Sequence, residues 1–240
     1  MAETELHAAL KAWYAQPGDE LEVRLEGYII DVKRGQTLIE IQTRSFSSIK
    51  AKLLELVPRH PTVLVYPIAQ ERWIVKVGRD RTTVISRRKS PKRGKLVHVF
   101  DELIRFPDLL AEPNLTLELL LTQEEEVRHH EPHRRSRRSW SRRGWMTHER
   151  RLVDVVDTRK FEHPDDLVAL LPADLAAPQA APFTTRDLAA ALGESKNLAQ
   201  KMAYCLRKSK VLVVVGKRGN AFLYRPAERL FAARTHERAV

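Results

Sequence analysis

The sequence predicts an α/β protein: a mixed sheet flanked by helices, then a basic segment and a small unit of two helices and a hairpin. Three observations carry this expectation. The stretch 28–44, YIIDVKRGQTLIEIQTR, reads as two short strands around a tight turn and is apolar on both faces, as the buried middle of a sheet requires. An amphipathic helix and the β-branched run 62–67 (TVLVYP) follow, giving the strand–helix–strand order of a parallel crossover. Towards the C-terminus, two short helical periods precede LVVVGKRGNAFLYRP, two extended runs around a basic tip. With 240 residues and 43% apolar content the chain can bury one large or two modest cores. We divide it into a sheet domain at 1–127, a basic Arg/Trp linker and connecting strand at 128–163, the helix–hairpin unit at 164–227 and a tail at 228–240.

Each element has its own local reason. Residues 2–14 are helical, with Leu6, Leu10 and Trp13 spaced for one buried stripe. Pro17-Gly18-Asp19 turns the chain into a strand at 21–25. A turn at Arg34-Gly35, or a longer one from Lys33 to Gln36, sets Asp31 opposite Leu38, diagonal to Glu40. Ser45 or Ser47 caps a helix whose Ile49, Leu53, Leu56 and Val57 recur at helical spacing. Strands at 62–67 and 72–77 follow. Residues 79–95 hold eight Lys or Arg against one acid and read as a flexible basic loop. Residues 96–110 read as helix and 115–122 as strand.

Composition narrows the function. A net charge of +11 and a pI near 9.9 call for an anionic partner, nucleic acid before acidic membrane. A single Cys and the lack of any long apolar run argue against a disulfide framework, a membrane span or a secretion signal, so the expectation is a cytoplasmic protein. P-loop, G-x-S-x-G, CxxC and HExxH patterns are all missing. His129, His130 and His133 fall in a basic stretch without Cys and read as solvated linker rather than as a zinc site.

The acidic residues of the hairpin are the sharpest chemical signal. Asp31 sits on its first strand, Glu40 and Gln42 on one face of the second. Half-exposed strands often carry Glu and Gln only as a solvated side. Here Ile29, Ile30, Leu38, Ile39 and Ile41 make both faces apolar, and a carboxylate in such surroundings is costly unless it is paired or binds a cation. Glu3, at the edge of the first helix's stripe, reads either as an ordinary first-turn acid or as a third group near the pair.

Glu3, Asp31 and the run Glu40-Ile41-Gln42, followed by a helix and a buried strand, resemble the PD-(D/E)XK nuclease superfamily over about residues 1–78. The segment IEIQTRSFSSIKAKL looks most like the branch, including CoiA-like competence proteins, in which the motif's final Lys is a Gln. The resemblance implies a restriction-endonuclease-like core and a metal-dependent DNA endonuclease. It implies Mg²⁺ (or Mn²⁺) held by Asp31 and Glu40 with the backbone carbonyl of Ile41, and catalytic roles for Glu3, Asp31, Glu40 and Gln42. It also implies a homodimer where both strands of DNA are cut. A neutral Gln42 cannot supply the cation that a Lys would, so Arg44, Lys33 or Lys50 is expected to stand in. The other reading the residues allow is an inactive nuclease-fold protein that only binds or regulates DNA.

The rest of the chain points to nucleic acid as well. Arg87, Arg88 and Lys89 lie in the basic loop, and Arg137 and Arg138 flank Trp140 in a stretch where Arg can meet phosphates and Trp can stack on bases. Thr184 with Asp187 approximates a capping box, and the helix it starts ends at Gly193. The next helix, 195–208, buries Leu198, Met202, Cys205 and Leu206. Two helices and a basic-tipped hairpin resemble a winged helix-turn-helix. That resemblance implies Lys196, Asn197, Gln200, Lys201 and Tyr204 on the groove side and Lys217 and Arg218 on the wing. Double-stranded DNA is the expected partner, with single-stranded and branched DNA or RNA as alternatives and no membrane.

Overall fold

The computed structural model describes residues 4–130 and 144–232. Glu3, Arg137, Arg138, Trp140 and His133 lie outside the described residues. Helix α1 (Glu5–Tyr14) is capped by Thr4, whose side chain accepts from the His7 N–H. Strands β1 (Glu20–Leu25), β2 (Tyr28–Arg34) and β3 (Thr37–Ile41) follow as an antiparallel meander. Helix α2 (Lys50–Leu56) then carries the chain to β4 (Thr62–Val77), which lies parallel to β3. Strand β5 (Val84–Lys89) folds back on β4, and the one-turn helix α3 (Phe100–Leu103), between two 3₁₀ turns, leads to β6 (Leu115–His130). Strand β7 (Trp145–Phe161) closes the sheet, which runs β1-β2-β3-β4-β6-β7 with β5 beside β4. It is a mixed sheet flanked by helices, as the sequence predicts.

Alternation along the strands builds two cores. Leu6 and Leu10 of α1 pack on Val32, Ile39, Ile41, Val63, Val65 and Leu120. On the opposite face Leu53 of α2 joins Phe46, Leu64 and Ile68 in the main core. Leu56 closes over Ile30 and Leu38 in a smaller cluster of its own. This fixes α2 directly over β2 and β3.

Several local expectations are corrected. The hairpin turns at Gly35-Gln36, with Arg34 opposite Thr37 and Lys33 opposite Leu38, two residues out of the expected register. Gly35 adopts φ 57°, a left-handed conformation that favours glycine. Trp13 is 49% exposed because α1 needs only Leu6 and Leu10 to cover its side of the sheet. Residues 62–77 form one strand, with a bulge between Ala69 and Glu71 absorbing what looked like a break. The supposed flexible loop contains β5, whose side chains are all exposed; pairing with β4 holds it despite its charge. Residues 96–110 make only short turns, and the strand predicted to end at 122 runs on to His130, where Glu and Arg ion pairs replace apolar burial. Trp145–Phe161, in the segment read as basic linker and connecting strand, is one long edge strand of the main sheet paired along β6.

After a 3₁₀ segment and the short helix α4 (Ala173–Ala176) come α5 (Thr185–Leu192), α6 (Lys196–Lys208) and the hairpin β8 (Leu212–Arg218) and β9 (Ala221–Pro226), then α7 (Arg229–Ala232). The capping box of Thr184 and Asp187 and the left-handed Gly193 are both present. Phe183, Leu198, Met202, Cys205 and Leu206 belong to the same continuous core as Phe100 and Leu103, so this unit is packed onto the sheet's helical side.

Candidate active site

The site begins where β2 and β3 part. Their ladder stops at Val32 opposite Ile39. One step on, the Ile41 N–H donates to Asp31 Oδ2 at 2.8 Å instead of to a backbone carbonyl. The carboxylate of Asp31 thus fills the fork between the strands, beside Glu40, its neighbour in the continued register. His7 Nε2 of α1 lies 3.2 Å from the same oxygen. Burial works to raise the Asp31 pKa, but the His7 ring and the Ile41 N–H outweigh it and hold the carboxyl below its usual range.

Glu40 has the opposite fate. It is 4% exposed, and burial pushes its carboxyl up to about 7, with the like charge of Asp31 adding to the rise and Lys52 opposing it. The Lys52 ammonium forms an ion pair with Glu40 Oε1 and donates to the Ile29 carbonyl. Lys52 is thus the cation that meets this buried oxygen. The expected substitutes are placed elsewhere: Lys33 pairs with Glu20 at 2.6 Å, and Arg44 and Lys50 are exposed.

Gln42 points its amide away from the carboxylates. Its Nε2 donates to the Ser45 carbonyl at 3.0 Å and to Ser48 Oγ at 2.6 Å. Glu102 of α3 accepts from the Phe46 N–H at 2.8 Å and from Ser45 Oγ at 3.0 Å, tying the same loop to the main core. Gln42 thus holds the turn that aims α2, and with it Lys52, at Glu40.

The donor set suits a hard cation. Mg²⁺ takes one or two protein carboxylates and leaves its other positions to water and substrate oxygens. Two adjacent carboxylates, one buried against Lys52 with its pKa raised by burial first and by its neighbour's charge second, provide this. No group of three or more His, Cys, Asp or Glu side chains clusters for a metal among the described residues.

The sequence reading missed His7, Lys52 and Arg150. Lys52 lies one turn before Leu56, and residues i and i+4 share a helix face, so the burial of Leu56 over the hairpin was its available signal. Arg150 on β7 binds Glu124 through both Nε and Nη2, the latter at 2.7 Å, and reaches the Thr43 carbonyl at 3.3 Å. Its link to β3 depends on a strand pairing the sequence does not signal.

Among the expected nucleic-acid contacts, Arg87 and Lys89 stand over the Trp73 ring and pair with Glu125 and Glu71, while Arg88 is exposed beside them. On α6, Lys196, Asn197, Gln200 and Tyr204 are exposed. Lys201 instead turns to α3, its Nζ 2.8 Å from Asp101 Oδ1, because α6 docks on the sheet unit along that edge. A groove of about 900 Å³ opens between the start of α5, α6 and the hairpin, lined by Arg186, Lys196, Gln200, Tyr204, Arg207 and Arg218. Lys217 lies over the Phe222 ring, and Arg218 is 3.3 Å from Asp187. Cys205 is fully buried and its thiol is pushed up to about 12, as expected of a core residue.

A family model described as Domain of unknown function (DUF8091) matches residues 4–162. An uncharacterized protein of Treponema pallidum (strain Nichols) is 31% identical over 224 residues, covering 93% of this chain and 85% of the relative. No solved structure matches the chain. No helix among the described residues is long and apolar enough to cross a membrane.

Proposed function

We propose, for a chain that belongs to the DUF8091 family, that its sheet unit hydrolyses phosphodiester bonds in DNA with the help of Mg²⁺ or Mn²⁺. The observation that carries this reading is the meeting of Asp31, Glu40 and Lys52 at the fork between β2 and β3. Asp31 and Glu40 would hold the metal, together with the Ile41 carbonyl that the nuclease resemblance implies. When bound, such an ion polarises a phosphate oxygen and lowers the pKa of an attacking water. Lys52 supplies the positive charge that Gln42 lacks and is suited to stabilise charge building on the phosphate. His7 keeps Asp31 ionised and oriented. The two helices and hairpin at 164–227 serve in this reading as a winged helix-turn-helix that holds duplex DNA, with the charged groove of α6 as its contact.

A second reading has a specific observation behind it: Lys52 sits on the very carboxylate that a metal would use, as in a fold that binds DNA without cutting it. One experiment separates the two. The purified protein is incubated with plasmid, single-stranded and branched DNA in Mg²⁺, Mn²⁺ or EDTA, beside Asp31→Ala, Glu40→Ala and Lys52→Ala. Cleavage by the unaltered chain that needs metal and is lost in all three variants is expected. Tight binding with no cleavage of any substrate selects the inactive reading, and cleavage surviving in the Asp31 and Glu40 variants places the chemistry elsewhere.

A further inference from the structure

Strand β4 is paired on one edge by β6 along nearly its whole length, but its other edge is shared. Strand β3 covers that edge up to Val65, which accepts the Gln42 N–H, and β5 covers it again from Trp73. Between them lies a notch beside Tyr66–Glu71. The loop returning from β5 crosses it, with the Gly94 N–H on the Ala69 carbonyl at 2.8 Å. A Cβ at Gly94 would stand 2.6 Å from that carbonyl oxygen, so the close crossing requires glycine.

The notch holds a cavity of about 300 Å³, with Tyr66, Arg72, Lys92, Arg93, His98 and Arg150 in its lining and no acidic residue among its lining groups. The carboxylates that meet these cations are all shared: Glu126 lies between Arg72 and Arg128, and Glu194 between His98 and Lys95. Glu124, with no exposure, serves both Arg150 and Arg72, and Glu71 serves both Lys89 and Arg93. The Nε of Arg72 is buried and has no hydrogen-bond acceptor, a state that costs free energy until an acceptor arrives. Glu40 stands opposite Leu64, and Tyr66 is two residues further on, so notch and Glu40 share one sheet face. At about 3.3 Å per residue they lie within roughly 10 Å of each other.

We propose that this notch is a phosphate-binding subsite that seats a backbone phosphate of a nucleic-acid strand neighbouring the phosphate at Asp31 and Glu40. The choice of occupant rests on the nuclease reading; the excess of cations and the orphan guanidinium N–H do not.

The test is binding of the full chain to a labelled oligonucleotide in EDTA across a salt series, so that no cleavage is required. Lys92→Ala with Arg93→Ala removes the outer wall. Arg24→Ala with Arg59→Ala, on β1 and after α2, controls for the removal of surface charge. The expected result is about tenfold weaker binding for the notch variant at fixed salt. Its log–log salt slope is smaller by about 0.7–0.9 for each phosphate that the variant no longer neutralises, and the control variant is close to the unaltered protein. Asp31→Asn keeps the full slope, so loss of cleavage and loss of the subsite read out separately. Raising inorganic phosphate at constant ionic strength leaves the difference between the unaltered and notch-variant proteins in place. Equal affinity and slope in notch-variant and unaltered protein, both folded by thermal unfolding, overturn the subsite. Abolition of the difference by inorganic phosphate overturns the backbone as its occupant.

Discussion

Glu40 is a carboxylate whose titration is set by its surroundings. Its folded pKa of about 7 lies above the ordinary 4.5 because burial penalises the charged form. Below pH 4.5 both folded and unfolded states carry the proton, and the group contributes no pH dependence. Between 4.5 and 7 the unfolded chain has released its proton while the folded chain keeps it, so stability falls as pH rises through this window and levels off above it. At 1.36 kcal/mol per pKa unit the loss is at most about 3 kcal/mol. Denaturant unfolding of the unaltered chain and Glu40→Gln at pH 4 and pH 8 should therefore show the variant gaining on the parent by up to that amount. Parallel pH profiles would refute it. Mg²⁺ should flatten the parent's slope if it binds the ionised pair. Lys52→Met is expected to lose about 3–5 kcal/mol at pH 8, where a buried carboxylate is left unpaired, and less at pH 5, where Glu40 holds its proton. On the proposed nuclease reading, its cleavage of DNA should fall by about two to three orders of magnitude.

At the scale of elements, the helix that carries Lys52 is aimed by two contacts, Leu56 over Ile30 and Leu38, and the Gln42 amide on the Ser45–Ser48 turn. Leu56→Ala is expected to cost about 2–4 kcal/mol from the cavity it opens. On the proposed nuclease reading it should also lower kcat more than it raises KM, because Lys52 is displaced while the proposed DNA contacts elsewhere stay. On α6 the docking edge and the open face should separate in salt-dependent binding. Lys201, already paired with Asp101, should leave the slope unchanged when replaced by Ala, whereas Lys196→Ala with Arg207→Ala should reduce it by about 0.9 per phosphate released. Sequence pattern was sufficient for elements whose boundaries are local. The Thr184 capping box, the left-handed Gly193 and the apolar stripe of α6 are all written within a few residues. It failed where a partner distant in sequence decides: β5 reads as a flexible loop until β4 supplies its hydrogen bonds, and the length of β7 and its place in the main sheet come only from its pairing with β6. The same division holds at the site. Alternation and apolar flanks put Asp31 and Glu40 together and helical spacing puts Lys52 on the Leu56 face, while His7 and Arg150 arrive through tertiary contacts that no spacing rule encodes.

At the scale of the whole molecule, the family match ends at residue 162, yet the core does not. Phe100, Leu103, Leu109 and Leu110 on the helical side of the sheet are 5% exposed or less, and they share one apolar cluster with Leu198, Met202 and Leu206 of α6. Ion pairs reinforce the contact: Lys201 with Asp101, and Lys208 with Asp108 at 2.9 Å. Such surface pairs are each worth a fraction of a kcal/mol, so it is the buried apolar area that joins the units. A chain ending at residue 162 would expose that area to water. Relative to the full protein it should bind a hydrophobic dye and melt at a lower temperature with a broadened transition, while the full chain unfolds in one cooperative step by calorimetry and circular dichroism alike. Two separated transitions in the full chain, or a truncated chain as stable as the whole, would mean that the C-terminal helices rest on the sheet without stabilising it. A single transition carries a functional consequence. The α6 groove would then be held at a fixed orientation to the fork at Asp31 and Glu40, and DNA gripped by one would be presented to the other without the entropy cost that a flexible linker imposes.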